Sequence, residues 1–342
     1  MIRGLWMYVL FLSINVQAQI TDFGKVDFHQ ADSIAALYKG EKLSNLPVLV
    51  YKLTASLSTK LEQFRAIYTW LSTNIDNDYD YYLKNKKKRE QLQHDSLAFA
   101  QWNEDFQVQV FKKLLKEQKT VCTVYAYLLK ELASFADIDC KIIDGYGRTI
   151  AANIGEPGIP NHSWNAVQLN NKWYLCDATW SSGGFNIQEK KFIRNYNDGY
   201  FLAKPELFVR NHYPLDTAWI LMYDKPSLGE FLTAPLIYKS AFNYHITPVS
   251  PKVMKMQLTK GETITFLFKA PDSIPLDDIQ LELISENNIH TVKPDILRTQ
   301  EGLLALKYSF VTTGYYDVHI KIGDNYIVSY TIQVKKNKSI PE

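Results

Sequence analysis

The spacing of hydrophobic residues changes along this chain, from a helical period in the first part to short alternating runs in the last. Past residue 230 no helical period remains, so no helix is expected there, and short alternating runs recur with turns between them at residues 263–268, 279–284, 303–310, 316–322 and 326–334. That spacing is typical of an immunoglobulin-like β-sandwich. Because 342 residues are enough for two separate cores, we predict two folded units, over residues 19–225 and 235–335.

Residues 20–120 are predicted to be mostly helical. Thr59 and Glu62 have the spacing of a capping box, and apolar residues with helical spacing follow them. The polar, turn-rich segment 74–82 should end that helix, and a second helix is expected over residues 106–115.

The charge of the chain argues against nucleic acid as a partner. The chain has 38 Lys and Arg residues and 36 Asp and Glu residues, so its formal net charge is +2. Such a chain has no large positive electrostatic potential to attract nucleic acid. The one basic run, residues 84–89, is expected to be a solvated loop.

The first 18 residues have the features of a signal peptide. Arg3 precedes an apolar run over residues 5–12, and small residues follow where a signal peptidase would cut, before Gln19. The alternatives are a core helix or a retained anchor. Because no second segment is long and apolar enough to cross a bilayer, we expect a secreted or periplasmic protein with no membrane span in the mature chain.

A β-hairpin in the middle of the chain should bring a histidine next to a carboxylate. Residues 163–169 and 172–179 alternate as strands on either side of Asn170-Asn171, a strong turn dipeptide. With a two-residue turn, Trp164 lies opposite Asp177, and His162 projects from the same face as Asp177. Diagonal neighbours on one face are within reach of an imidazole and a carboxylate. The pattern therefore predicts a His–Asp pair.

Cys122 falls at the start of a predicted amphipathic helix, with Thr120 as a candidate N-cap. A helix N-terminus favours a thiolate, so Cys122 is a candidate nucleophile, with His162 as base and Asp177 as the residue that orients the ring. The N–H of Cys122 could then bind an oxyanion. The alternative is that Cys122 is a small buried hydrophobe.

The chain has three cysteines, so they cannot all pair within it. Cys140 and Cys176 could form a disulfide, but they are expected on the outer strands of a three-strand meander, too far apart to bond. The spacing of His, Cys, Asp and Glu residues matches no metal motif, and no Gly-rich phosphate loop is present. No metal and no cofactor are therefore expected.

The sequences of these motifs resemble those of the transglutaminase-like cysteine superfamily. Three segments carry the resemblance in chain order, residues 120–126 (TVCTVYA), 161–165 (NHSWN) and 177–180 (DATW). Residues 64–71 resemble that family's upstream helix, and residues 200–219 the downstream segment of its kyphoscoliosis-peptidase-type branch.

The resemblance implies an α+β fold, a papain-like transglutaminase core with N-terminal helices, followed here by the C-terminal immunoglobulin-like β-sandwich. It implies that Cys122, His162 and Asp177 form a catalytic triad for peptide or amide hydrolysis or acyl transfer. Thr120 and Val124 depart from the glycines that many relatives carry, which puts the turnover rate and the choice of acceptor in question.

Three further residues are candidates for the site. Gln118 could donate to an oxyanion, and Trp164 and Trp180 could wall the acyl site. The expected substrate is a protein or peptide, or a polymer at the cell surface. The alternative to an enzyme is a weakly active or inactive scaffold or binding module with the same fold.

Overall fold

The computed structural model describes residues 22–23, 26–92, 94–186, 189, 191–286 and 288–336. The predicted signal peptide, residues 1–18, lies outside these ranges. Within them, no helix combines the length and apolar character that a membrane span requires.

Among the described residues, six helices of nine or more residues precede the first large sheet. They are α1 (His29–Leu37), α2 (Leu46–Thr54), α3 (Lys60–Asn74), α4 (Tyr79–Leu92), α5 (Ser96–Glu117) and α6 (Cys122–Ser134). The predicted capping box is confirmed, since Thr59 and Glu62 exchange hydrogen bonds at the start of α3. Two short strands, β1 (Asp76–Asn77) and β2 (Lys119–Thr120), pair in parallel beside these helices.

The structure corrects the prediction for residues 74–119. Helix α3 ends at Asn74 as expected, but the basic run 84–89 lies within α4 and is not a loop. Lys, Arg, Gln and Glu are good helix formers, so α4 forms without the apolar period on which the prediction relied. Helix α5 is also longer than predicted, because Asp95 caps it by accepting from the N–H of Ala98.

An antiparallel sheet of four strands packs against α6. Its order is β5 (Lys172–Cys176), β4 (His162–Leu169), β3 (Cys140–Gly147) and β8 (His212–Pro214). Asn170 and Asn171 have φ values of 51° and 60°, the left-handed conformation of a two-residue hairpin turn. The predicted register is confirmed, since Asn165 lies opposite Cys176.

The second hairpin strand ends earlier than predicted. β5 stops at Cys176, and Asp177 is the N-cap of a short helix, α7 (Ala178–Ser182). The Asp177 carboxylate accepts from the backbone N–H groups of the new helix, and these bonds replace the continuation of the strand. A small hairpin follows, formed by β6 (Gly183–Asn186) and β7 (Lys191–Arg194).

The last part of the chain is an immunoglobulin-like β-sandwich, as predicted. One sheet runs β10 (Thr247–Ser250), β12 (Thr263–Lys269), β16 (Leu304–Ser309), β15 (Asp295–Arg298). The other runs β11 (Lys255–Thr259), β18 (Asn325–Lys335), β17 (Gly314–Ile322), β13 (Ile279–Ser285), β14 (Asn288–Val292), and β9 (Leu236–Ile237) also pairs with β18.

All five predicted strands are present, as β12, β13, β16, β17 and β18. The sequence did not reveal the shorter strands β10, β11, β14 and β15, which are partly exposed. Three short helices complete the fold, α8 (Pro205–Phe208), α9 (Leu228–Thr233) and α10 (Lys239–Asn243). The expectation of no helix past residue 230 is therefore wrong for α10.

One hydrophobic core joins the two parts of the molecule. Trp164 from β4, Phe208 and Phe242 belong to the same buried cluster as Phe266 from the β-sandwich. Arg148 fixes the connecting segment, because its guanidinium donates to the backbone carbonyls of residues 153, 232, 234 and 235. The segment between α9 and β9 is therefore held on the first part of the chain and paired to the second.

Candidate active site

Cys122 is the first residue of α6, where the backbone N–H groups have no intrahelical acceptor. The prediction of Thr120 as N-cap is wrong. Val121 occupies the N-cap position without a side-chain bond, and the Thr120 hydroxyl is buried with no partner within the described residues. Thr120 lies in β2 and pairs with Asn77 of β1, and this pairing turns the Thr120 side chain into the interior. Cys122 itself is half-buried.

His162 begins β4 and connects Cys122 to Asp177. Its Nε2 lies 2.7 Å from Oδ2 of Asp177, and the Cys122 thiol is close enough to influence the ionisation of its ring. Burial disfavours the charged ring, but the charge and hydrogen bond of Asp177, together with the Cys122 thiol, outweigh burial and raise the pKa of His162 to about 10. Burial likewise opposes a thiolate, yet His162 and the backbone N–H of Ser163 keep the pKa of Cys122 below its usual 9.0. The raised pKa of His162 and the lowered pKa of Cys122 both favour a thiolate–imidazolium pair.

The two oxygens of Asp177 have different partners. Oδ1 accepts from the N–H groups of Thr179, at 2.8 Å, and Trp180, at 3.1 Å, and so caps α7. Oδ2 contacts His162 and a second histidine, His212. Although Asp177 is buried, these charges and donors hold the pKa of its carboxyl well below the ordinary value.

His212 on β8 is the residue that sequence reasoning missed. Its Nε2 lies 2.9 Å from Asp177 Oδ2, its Nδ1 lies 2.6 Å from Asn211 Oδ1, and its ring stacks on Phe208 at 4.0 Å. Burial lowers the pKa of His212 to about 4, so the ring is neutral where His162 is charged. The only signal was its place in the downstream segment that resembles the family.

The atoms of His162, Asp177 and His212 that could bind a metal lie within 4.8 Å of one another. A transition metal could bridge them only by displacing the hydrogen bonds between the rings and the carboxylate.

A glycine on the neighbouring strand makes room for the His162 ring. A Cβ added to Gly147 of β3 would lie 2.9 Å from Cβ of His162 and 3.3 Å from the Trp180 ring. The Cβ of His162 is attached directly to the backbone and cannot rotate away, so the backbone of β3 or β4 would have to shift. Glycine at position 147 therefore sets how closely β3 approaches His162.

The three further candidates have different positions. The Trp180 ring stacks on that of His162, with centroids 4.9 Å apart, and lines the adjoining cavity. Trp164 is buried beneath His212 and contacts neither of the two cavities at Cys122, so the structure does not support it as a wall. Gln118 caps the end of α5, and its amide donates to the Glu41 carbonyl at 3.0 Å, so it is not aimed at the nucleophile.

Two cavities of about 500 Å³ and 350 Å³ meet at Cys122 and His162. Val124 lines the smaller one and Trp180 the larger. The remaining cysteines lie away from both cavities. Cys140 and Cys176 are free and buried, and burial raises the pKa of both thiols, to about 12 for Cys140.

Residues 48–178 match the transglutaminase-like superfamily by sequence, a range that contains Cys122, His162 and Asp177. These residues belong to that superfamily. The match ends one residue beyond Asp177, so His212 and the β-sandwich lie outside it.

Curated relatives extend the similarity past this domain. The chain is 32% identical over 234 residues to the mouse kyphoscoliosis peptidase and 30% identical over 263 residues to the human one. These matches cover 67% and 75% of this chain but only 32% and 35% of the relatives, so the chain spans about one third of their length. Hillarin of Drosophila melanogaster is 25% identical over 235 residues, which cover 64% of this chain and 26% of hillarin.

Among solved structures, the filamin domain of Lin-41 matches 26% of this chain and 91% of its own, at 19% identity and a TM-score of 0.21.

Proposed function

We propose that this protein is a cysteine hydrolase or acyltransferase that acts on peptide-type amides, with Cys122, His162 and Asp177 as its catalytic triad. The observation that carries the proposal is the position of His162, which bonds to Asp177 and lines the same two cavities as Cys122. Nucleophile, base and orienting group are the parts that this chemistry requires.

The reaction follows from these positions. The Cys122 thiolate attacks the amide carbonyl carbon, and the N–H of Cys122 at the start of α6 stabilises the resulting oxyanion. The His162 imidazolium then gives its proton to the leaving amine, the C–N bond breaks, and a thioester remains. Neutral His162 next takes a proton from water or from an acceptor amine, which attacks the thioester and releases Cys122. Water gives hydrolysis, and an amine gives transfer.

The two cavities suit such a sequence, because an acyl donor and an acceptor must approach the same sulfur from different directions. Trp180 covers one face of His162 and limits access of water to the ring. The names of the kyphoscoliosis peptidases agree with peptide hydrolysis, which we propose as the more common outcome.

We also propose that the protein acts outside the cytoplasm, as a secreted or periplasmic enzyme, on the basis of the sequence of residues 1–18. N-terminal sequencing of protein recovered from outside the producing cells should begin at Gln19. Recovery only inside the cells, with Met1 retained, would contradict this.

Fluorescent casein tests the hydrolase, and incorporation of a fluorescent primary amine into casein tests the transferase. Cys122→Ala should abolish whichever activity is present, whereas Cys140→Ala, a matched loss of a buried thiol, should retain it. Equal activity in Cys122→Ala would refute the proposal. A native protein that binds casein but turns over neither probe would instead support the scaffold.

A further inference from the structure

Besides the His162 imidazolium, the larger cavity at Cys122 is lined by three cationic side chains and, among the described residues that line it, by no Asp or Glu. The cations are Lys86 from α4, Arg148 after β3 and Lys239 from α10. Three separate parts of the chain therefore place positive charge around one space beside the nucleophile.

Arg148 holds a permanent charge that no carboxylate balances. Its side chain is 1% exposed, and its guanidinium bonds only to backbone carbonyl oxygens, with no acidic group within 4.0 Å in the described part of the chain. Burial lowers the pKa of Arg148 to about 10, which still leaves it charged at neutral pH. By contrast, the buried Arg65 is paired with both Asp32 and Asp198.

Lys239 is half-buried, and no described residue forms an ion pair with it. Burial alone lowers its pKa, so no nearby carboxylate offsets the loss of water. Within the described residues, the one carboxylate within 4.0 Å of the Lys86 ammonium is that of Glu90, on the same helix. Burying a cation without a carboxylate partner costs free energy, and a ligand that supplies the opposite charge would offset that cost.

Aromatic rings form much of the remaining wall. Tyr79 stacks on Phe185 with ring centroids 3.7 Å apart, and Tyr82, Trp180 and Tyr238 line the same space. Aromatic surface provides apolar contact for the side chains next to a bound charged group.

We propose that the larger cavity binds a peptide segment that carries a carboxylate and an aromatic or apolar neighbour, with the carboxylate at Lys239 and Lys86. The proposal rests on the proposed function, since it assigns this cavity to the acyl donor. The same chemistry fits an acidic side chain and a free C-terminus, so the experiment contains an arm for each.

Binding is measured by calorimetry on Cys122→Ala, which cannot form a thioester. The probes are acetyl-Ala-Phe-Xaa-Ala-amide with Glu, Gln or Lys at Xaa, and the Gln peptide with a free C-terminal carboxylate. We expect the Glu peptide or the free-carboxylate peptide to bind about tenfold more tightly than the Gln amide, the range of one charge-assisted hydrogen bond. The Lys peptide should bind most weakly, and salt at about 0.5 M should reduce the differences.

Substitution of the cavity lysines should remove the preference. Lys239→Gln and Lys86→Gln should each lower affinity for the preferred acidic peptide severalfold and leave the Gln amide unchanged. Lys225→Gln and Lys87→Gln are the matched controls, because these lysines are exposed and line neither cavity, and they should behave as the parent protein. Equal binding of all four peptides, or a preference that survives Lys239→Gln with Lys86→Gln, would overturn the proposal.

Turnover of the same peptides by the protein with Cys122 intact separates the two proposals. Binding of acidic peptides with neither cleavage nor transfer to an added primary amine would refute the enzyme and leave the cavity assignment standing. Cleavage of the Gln amide as efficiently as the acidic peptides would refute the cavity assignment and leave the enzyme standing.

Discussion

Asp177 Oδ2 and His212 Nε2 lie 2.9 Å apart, so one carboxylate oxygen serves two buried imidazoles. His162, the other partner, carries a positive charge, whereas His212 is neutral. A neutral imidazole has one N–H, so His212 can donate to Asp177 or to the Asn211 oxygen but not to both. Donation to Asp177 places a fixed dipole behind the His162–Cys122 pair.

His212 is expected to act as a positioning residue. His212→Ala removes the donor and should lower kcat roughly 10- to 100-fold with little change in KM, the usual effect of losing a group that orients a functional side chain. His212→Gln keeps an N–H near the Nε2 position and should recover much of that loss. Steady-state kinetics measure the effect, with urea denaturation to correct for stability. Equal activity in both variants would indicate packing alone.

Asp177 combines two roles that a pair of substitutions can separate. Asp177→Asn keeps an oxygen for the cap of α7 but removes the charge that raises the pKa of His162, so kcat should fall on the order of 10³-fold. Asp177→Ala should lose the cap as well, at a further cost of about 1 kcal/mol in the free energy of unfolding. Urea denaturation and kinetics on both variants test this. Full activity in Asp177→Asn would contradict it.

Alkylation by iodoacetamide should depend on pH in a way set by His162. Because only the thiolate reacts, the rate at Cys122 should rise through a midpoint below 9.0 in the native protein. In His162→Gln, burial remains but the group that lowers the pKa is gone, so the midpoint should move above 9.0.

Peptide mass spectrometry follows each thiol separately. Cys140 and Cys176 should stay unmodified up to pH 9.0 in the native protein and react when it is unfolded in guanidine. Similar rates at all three thiols before unfolding would argue against an activated Cys122.

Gly147→Ala should impair the site although no triad residue is substituted. The added Cβ would lie 2.9 Å from Cβ of His162, and a displacement of about 1 Å at a reacting group can cost roughly 100-fold in rate. Gly229→Ala is the control, because its added Cβ would meet only the Ser227 hydroxyl oxygen, at an ordinary contact distance of 4.0 Å. Activity and the alkylation rate of Cys122 are the measurements. Unchanged values in Gly147→Ala would show that β3 can move freely.

The sequence predicted those parts of the fold that local patterns determine. The strands β12, β13 and β17 alternate between buried and more exposed residues, whereas β16 and β18 each contain a continuous buried run. The Asn170-Asn171 turn sets the register of β4 and β5 within a few residues. The proximity of His162 and Asp177 follows from that register. Helix α4 could not be predicted in this way, because none of its residues is buried and no apolar period marks it.

Contacts between distant segments explain what the sequence did not predict. His212 reaches Asp177 because β8 pairs with β3, more than 60 residues earlier in the chain. The parallel pairing of β1 with β2 turns Thr120 inward, and the bond of Gln118 to Glu41 depends on how α5 ends beside the loop after α1. No local pattern carries these relationships.

The pairing of β9 with β18 limits how this protein could be recombined. Ile237 of β9 pairs with Val328 of β18 in the sandwich. Lys239, two residues further along the chain, lines the cavity beside Cys122. A chimera that replaced residues 247–335 by an unrelated sandwich would need the same docking edge for β9, or one wall of the cavity would lose its support. The two halves are therefore expected to be inherited and exchanged as a unit.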